Sequence, residues 1–208
     1  MKTIYLIRHS APFVEIYNYE DYNNSSWKEC NKNMILSVEG EENAKKICNI
    51  EEMKKVDDIY SSNSFRAIGT AKYLASQNNL KIKLDDRINE RELGVNKISE
   101  LPNNFTLDSF NNKDLKVGFG ESLNEVDKRL DAFLKEILLS DKKNIALFIH
   151  GIMMLSFLQN NFDFNFDGLN LKLSFNNKII CDDKMKNPMI FKITFDDNKI
   201  VNIEYINI

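Results

Sequence analysis

The chain has 208 residues, enough for one domain of generous size whose core needs no metal or disulfide staple. Its 28 Lys plus Arg against 31 Asp plus Glu give a formal charge of −3, without the basic excess of a nucleic-acid binder, so no nucleic-acid partner is expected. No apolar run approaches the roughly 18 residues of a membrane span, and no membrane partner is expected either.

In chain order, Ile4 to Ile7 is a short continuous apolar run and is predicted to be a buried strand. The run ends in charge at Arg8 and lacks the apolar core and cleavage site of a signal peptide. Together with an odd set of cysteines, Cys30, Cys48 and Cys181, without a CxxC pair, this predicts a reduced, cytoplasmic protein without a disulfide framework or zinc site; separately, no metal and no cofactor are expected. Residues 11–36 hold Phe13, Tyr17, Tyr19, Tyr22 and Trp27 among Asn and acidic residues with no clean period, as expected of a lid or binding segment.

Ser37 to about Ile50 is predicted to be helical, Val56 to Tyr60 a strand, Ser64 to about Gln77 a helix, and Lys81 to Leu84 a strand. Residues 95–119, with Pro102 and Gly118 and with Gly120 just beyond, form a second irregular segment. From Glu121 to Leu139 a stripe of Leu123, Val126, Leu130, Phe133, Leu134 and Ile137 predicts a long amphipathic helix. Ile145 to Ile149 is another apolar strand, followed by a helix at Ile152 to Leu158. Asp163 to Gly168 fits half of a calcium-loop pattern, but its twelfth position is Ser174 in place of Glu, so it is read as a turn-rich loop. Met189 to Phe195 and Ile200 to Ile206 flank Asp196-Asp197-Asn198-Lys199 as a β-hairpin. The expectation is a three-layer αβα sandwich: a mainly parallel sheet, helices on both faces, and a C-terminal β-hairpin. Residues 1–208 are expected to form a single domain.

The sequence has only 2 histidines, and their placement carries the functional reading. His9 follows Ile4-Tyr5-Leu6-Ile7-Arg8 and His150 follows Ile145-Ala146-Leu147-Phe148-Ile149, so each ends a predicted parallel strand. Parallel strands put their carboxyl ends on one edge, where open α/β sheets hold their ligands. Arg8 precedes His9, and Arg66 lies in the first turn of the helix after the next strand, a place where a guanidinium and a helix N-terminus suit a phosphate. Two histidines and a glutamate could also hold a metal, but two fixed arginine charges beside it argue against a cation. A Cys-x5-Arg loop, a D-x-D nucleophile site and a nucleotide-binding P-loop are all absent, which leaves histidine as the nucleophile on offer.

Several stretches, in order, resemble one family. Leu6-Ile7-Arg8-His9-Ser10 is similar to the L-I-R-H-G signature of the histidine phosphatase superfamily, which includes the phosphoglycerate mutases, with Ser10 in place of Gly. Leu36 to Ala44, Ser61 to Ala71, Ile88 to Gly94, Gly120-Glu121-Ser122 with Val126 and Arg129, and Ile149-His150-Gly151 resemble its later motifs. The resemblance implies a hydrolase for a small phosphomonoester in which His9 becomes phosphohistidine, and Arg8, Arg66 and His150 surround the phosphoryl oxygens. Ser10 and Gly151 would line the same site. Glu90 would give a proton to the leaving oxygen, with Glu92 as the rival acid. A mutase-type phosphotransferase and a catalytically silent phosphate-binding module remain alternatives, and the oligomeric state is left open.

Overall fold

The computed structural model describes residues 1–14 and 26–208. Tyr17, Tyr19 and Tyr22 lie outside the described residues.

Among the described residues, nine strands form two sheets. The larger has the order β3-β2-β4-β1-β8-β9, made of β1 (Lys2–Arg8), β2 (Asp58–Ser61), β3 (Ile82–Leu84), β4 (Asn144–Ile149), β8 (Met189–Asp196) and β9 (Lys199–Ile206). The first four are mutually parallel, while β8 runs antiparallel to β1 and is joined to β9 as the expected hairpin.

Successive residues on a strand face opposite ways, so β1 feeds two cores. Ile4 and Leu6 pack with Ile145, Leu147, Phe191 and Ile193 on one face, and Tyr5 and Ile7 with Ala146, Phe148 and Ile190 on the other. Burial on both faces is why these strands read as continuous apolar runs. Helices α5 (Leu123–Leu138) and α6 (Gly151–Asn161) cover the first face; α2 (Val38–Ile47) and α3 (Phe65–Gln77) cover the second. Helix α5 starts at a capping box, with Ser122 and Glu125 satisfying each other's backbone N–H groups, and buries its stripe from Leu123 to Ile137.

Three stretches differ from the sequence-based expectation. Asp163 to Gly168 is not a turn-rich loop throughout, because Asp163–Phe166 is strand β5. It belongs to a separate antiparallel sheet with β6 (Asn170–Phe175) and β7 (Lys178–Lys184), whose Leu171, Leu173 and Cys181 join the core beneath α5 and α6. Within 95–119 there is a helix, α4 (Phe105–Asn111), which buries Phe105, Ser109 and Phe110. Within 11–36 there is a helix, α1 (Trp27–Asn33), capped by Ser26. Both helices have seven residues, too few for an amphipathic period to show. Among the described residues, no helix is long and apolar enough to cross a membrane.

Candidate active site

The order β2-β4-β1 places three strand ends side by side, and the residue after each one matters. His9 follows β1, His150 follows β4, and Ser62 follows β2. The sheet ladder continues into them: His9 N–H donates to the Ile149 carbonyl at 2.9 Å, and Ser62 N–H to the Phe148 carbonyl at 3.1 Å. The two imidazole rings lie with centroids 5.2 Å apart. His9 is 5% exposed and His150 is fully buried.

Hydrogen bonds fix the state of each ring. His9 Nδ1–H donates to the Ser10 carbonyl at 2.8 Å, which leaves Nε2 as the unprotonated nitrogen with its lone pair. On His150, Nδ1 accepts from Arg66 Nη2 at 3.0 Å, so Nε2 carries the proton and donates to Ser62 Oγ at 2.7 Å. Burial, then the charges of Arg66 and Arg8, hold His9 well below the ordinary imidazole range, opposed by its bond to Ser10. His150 is held down by burial first and then by Arg66, His9, Arg129 and Arg8. Both rings are therefore neutral near pH 7.

The arginines approach from different elements. Arg66, in the first turn of α3, spans His150 Nδ1 and the Asn31 carbonyl of α1. Arg8, at the end of β1, donates from Nη1 to the Lys186 carbonyl at 3.1 Å, while its buried Nε has no hydrogen-bond partner. Burial lowers the pKa of Arg8 and the nearby Glu90 charge opposes that shift. Gly151 makes room for this guanidinium: a Cβ there would lie 3.1 Å from Arg8 Nε. Ser10 supplies the carbonyl for His9, and its N–H is held by Thr70 Oγ1 at 2.9 Å. The Ser10 hydroxyl is buried and also lacks a hydrogen-bond partner.

Glu90 lies on the wall of a cavity of about 500 Å³ that also involves Asn31, Ser64 and Trp27. Its position is set from behind, where Arg129 grips Glu121 through Nε and Nη2 at 2.8 and 2.9 Å and donates to the carbonyls of Arg87 and Glu90. Glu92 lines the same cavity and is ion-paired with Lys28 at 2.5 Å. The structure thus brings together His9, His150, Arg8, Arg66, Ser10 and Gly151, places Glu90 in electrostatic reach of Arg8, and engages Glu92 in an ion pair.

The sequence reading missed three groups here. Ser62 follows β2 as His9 follows β1, and that parallel was a usable signal. The Asn31 carbonyl depends on α1, which has no legible period. Asn187, on the loop before β8, donates to the His9 carbonyl at 3.1 Å across 178 residues of sequence, and no local pattern announces such a contact.

Solved structures share this fold at low identity. Bacillus stearothermophilus YhfR aligns with a TM-score of 0.69 at 19% identity, covering 96% of this chain and 94% of that one. A mycobacterial glucosyl-3-phosphoglycerate phosphatase aligns at 0.69 and 16% identity, covering 99% and 97%. A phosphoserine phosphatase from Entamoeba histolytica aligns at 0.63 and 16%, covering 98% and 97%. A comparison with curated protein sequences gives no match. The profile of the histidine phosphatase superfamily (branch 1) matches residues 4–179, a span that runs from β1 into β7 and includes both histidines, and the chain belongs to that superfamily.

Proposed function

We propose that the protein is a phosphomonoester hydrolase that acts on a small phosphorylated metabolite through a phosphohistidine at His9. The observation that carries this reading is a neutral His9, with its proton pinned on Nδ1, set among two arginines and a second neutral imidazole. The unpartnered Arg8 Nε and Ser10 Oγ add to it, because buried polar groups are nearly always satisfied and phosphoryl oxygens would satisfy these. The structural neighbours include proteins described as phosphatases and one described as a phosphoglycerate mutase, in keeping with phosphoryl chemistry.

In the first step the Nε2 lone pair of His9 attacks phosphorus and the bond to the leaving oxygen breaks. Glu90 delivers a proton to that oxygen, so the alcohol departs neutral. Water then attacks phosphorus, Glu90 takes its proton, and the P–N bond breaks to release phosphate and restore neutral His9. Throughout, Arg8 and Arg66 stabilise the equatorial oxygens, joined by His150 as its Nε2–H turns from Ser62 Oγ to a phosphoryl oxygen, which is most of what phosphoryl transfer asks of a protein. Arg66 needs little reorganisation, since Nη1 exchanges the neutral Asn31 carbonyl for a charged oxygen, and charge-assisted bonds are about twice as strong.

Hydrolysis of an aryl phosphate tests this reading. His9→Ala should abolish turnover, and Glu90→Gln should lower kcat/KM for esters of poor leaving groups by about 100-fold or more and for good ones far less, while lowering kcat for both through the water step. Full activity of the His9→Ala protein would refute the proposal. Transfer of the phosphoryl group to an added alcohol in preference to water would turn the assignment toward a mutase-type phosphotransferase.

A further inference from the structure

The chemistry at His9 leaves the identity of the alcohol open, and the cavity beside Glu90 narrows it. At about 500 Å³ it falls within the usual range for ligand pockets, with space for a leaving group well beyond a phosphoryl group. Its cations are largely engaged. Lys28 is paired with Glu92 at 2.5 Å, and Arg129 with Glu121 at 2.8 Å. Arg91 donates to Ser109 Oγ and to the carbonyls of Glu121 and Leu115, all within 2.8 Å. A second phosphate or a carboxylate on the substrate would find no guanidinium to spare on these walls, only the exposed ammonium of Lys32, and would meet the carboxylates of Asp86 and Glu90.

What the cavity does present is a braced neutral-ligand set. Asp86 Oδ1 accepts from Asn63 Nδ2 at 2.5 Å and from Asn89 Nδ2 at 3.1 Å, while Asn89 Oδ1 holds the Asn63 N–H at 2.9 Å. This triangle fixes the carboxylate and leaves Oδ2 to accept from hydroxyl groups. On the same cavity lies Phe119, whose side chain is fully exposed, and Trp27, which is half-buried. A sugar ring has both features these residues address: hydroxyls that donate to a carboxylate, and apolar C–H faces that cover an aromatic ring.

We propose that this cavity selects monophosphate esters of neutral polyhydroxylated alcohols, of sugar type, with Asp86 accepting from the hydroxyls and Phe119 covering the ring. The inference rests on the phosphomonoesterase reading above. The test compares kcat/KM for a hexose monophosphate, the matching hexose bisphosphate, O-phosphoserine and para-nitrophenyl phosphate, in the wild type and in Asp86→Ala and Phe119→Ala.

The hexose monophosphate should exceed both the bisphosphate and O-phosphoserine by about tenfold or more, the scale of one well-made hydrogen bond to a charged group. Asp86→Ala should lower the ratio of hexose monophosphate to aryl phosphate activity by about tenfold, and Phe119→Ala by about threefold. Because Phe119 is fully exposed, its replacement does not threaten folding. Preference for the bisphosphate or for O-phosphoserine, or ratios unmoved by both substitutions, would overturn the inference while leaving the hydrolase reading intact. Failure to hydrolyse even the aryl phosphate would overturn both.

Discussion

At the residue scale, two imidazoles kept neutral by burial and by neighbouring arginines tie stability to pH. Their folded-state pKa values lie below the ordinary value of about 6.5, so the unfolded chain takes up protons there that the folded chain refuses. Their contribution to stability is complete above about pH 6.5 and is lost as the pH falls, by up to ~1.4 kcal/mol per unit for each ring. Urea midpoints should therefore drop between about pH 7 and about pH 5.5, and a His9→Asn, His150→Gln protein should show a flatter profile; an equally steep one would refute this. Asn187 holds the backbone carbonyl of His9. Asn187→Ala should slow phosphorylation of His9 by about tenfold while leaving the affinity for inorganic phosphate within about twofold, as read by rapid quench and by calorimetry. Equal losses in both would mean that Asn187 only supports the loop.

At the element scale, α1 stands between solvent and Arg66. Its Asn31 carbonyl takes the guanidinium, Trp27 N–H donates to the Asn96 carbonyl at 2.9 Å, and Lys28 reaches Glu92. Under the proposed reading, phosphate would draw Arg66 from the Asn31 carbonyl and cost α1 one of these ties, a change that Trp27, the sequence's one tryptophan, would report. Inorganic phosphate should change the tryptophan emission saturably, and Arg66→Ala should remove the response; unchanged emission at saturation would contradict a link between α1 and the site. Legibility follows the same elements. Strands β1 and β4 were readable because burial on both faces leaves Ile4 to Ile7 and Ile145 to Ile149 without a polar interruption. Strand β5 was misread although Phe162, Phe164 and Phe166 alternate with polar residues as on a half-buried strand, because the Asp and Gly spacing of Asp163 to Gly168 outweighed that pattern as a turn signal. Helices α1 and α4 are held by contacts distant in sequence, such as Arg91 over the Phe105 ring at 4.6 Å, which no local window contains.

At the scale of the whole molecule, the site exists because the topology makes neighbours of β2, β4 and β1, whose terminal residues are far apart in sequence. That much was legible, since alternating strand and helix patterns dictate a parallel sheet and a parallel sheet gathers its carboxyl ends. The contribution of the loop before β8 was not, because it depends on how the second sheet delivers the chain back to β1. Leu171 and Leu173 of that sheet share a core with Leu130 and Phe133 of α5, and this continuity predicts one cooperative unfolding transition. Leu173→Ala should lower the stability of the whole chain by ~2–5 kcal/mol in a single transition, and two separated transitions would contradict a shared core.

The central claim, that these three strand ends assemble a phosphoryl-transfer site around His9, is tested most directly by trapping the intermediate. Mixing the protein with a labelled phosphomonoester and quenching in base within one turnover should leave one acid-labile phosphoryl group per chain, on His9 and absent from His9→Ala. Turnover without such a label, or a label that persists in His9→Ala, would contradict the account.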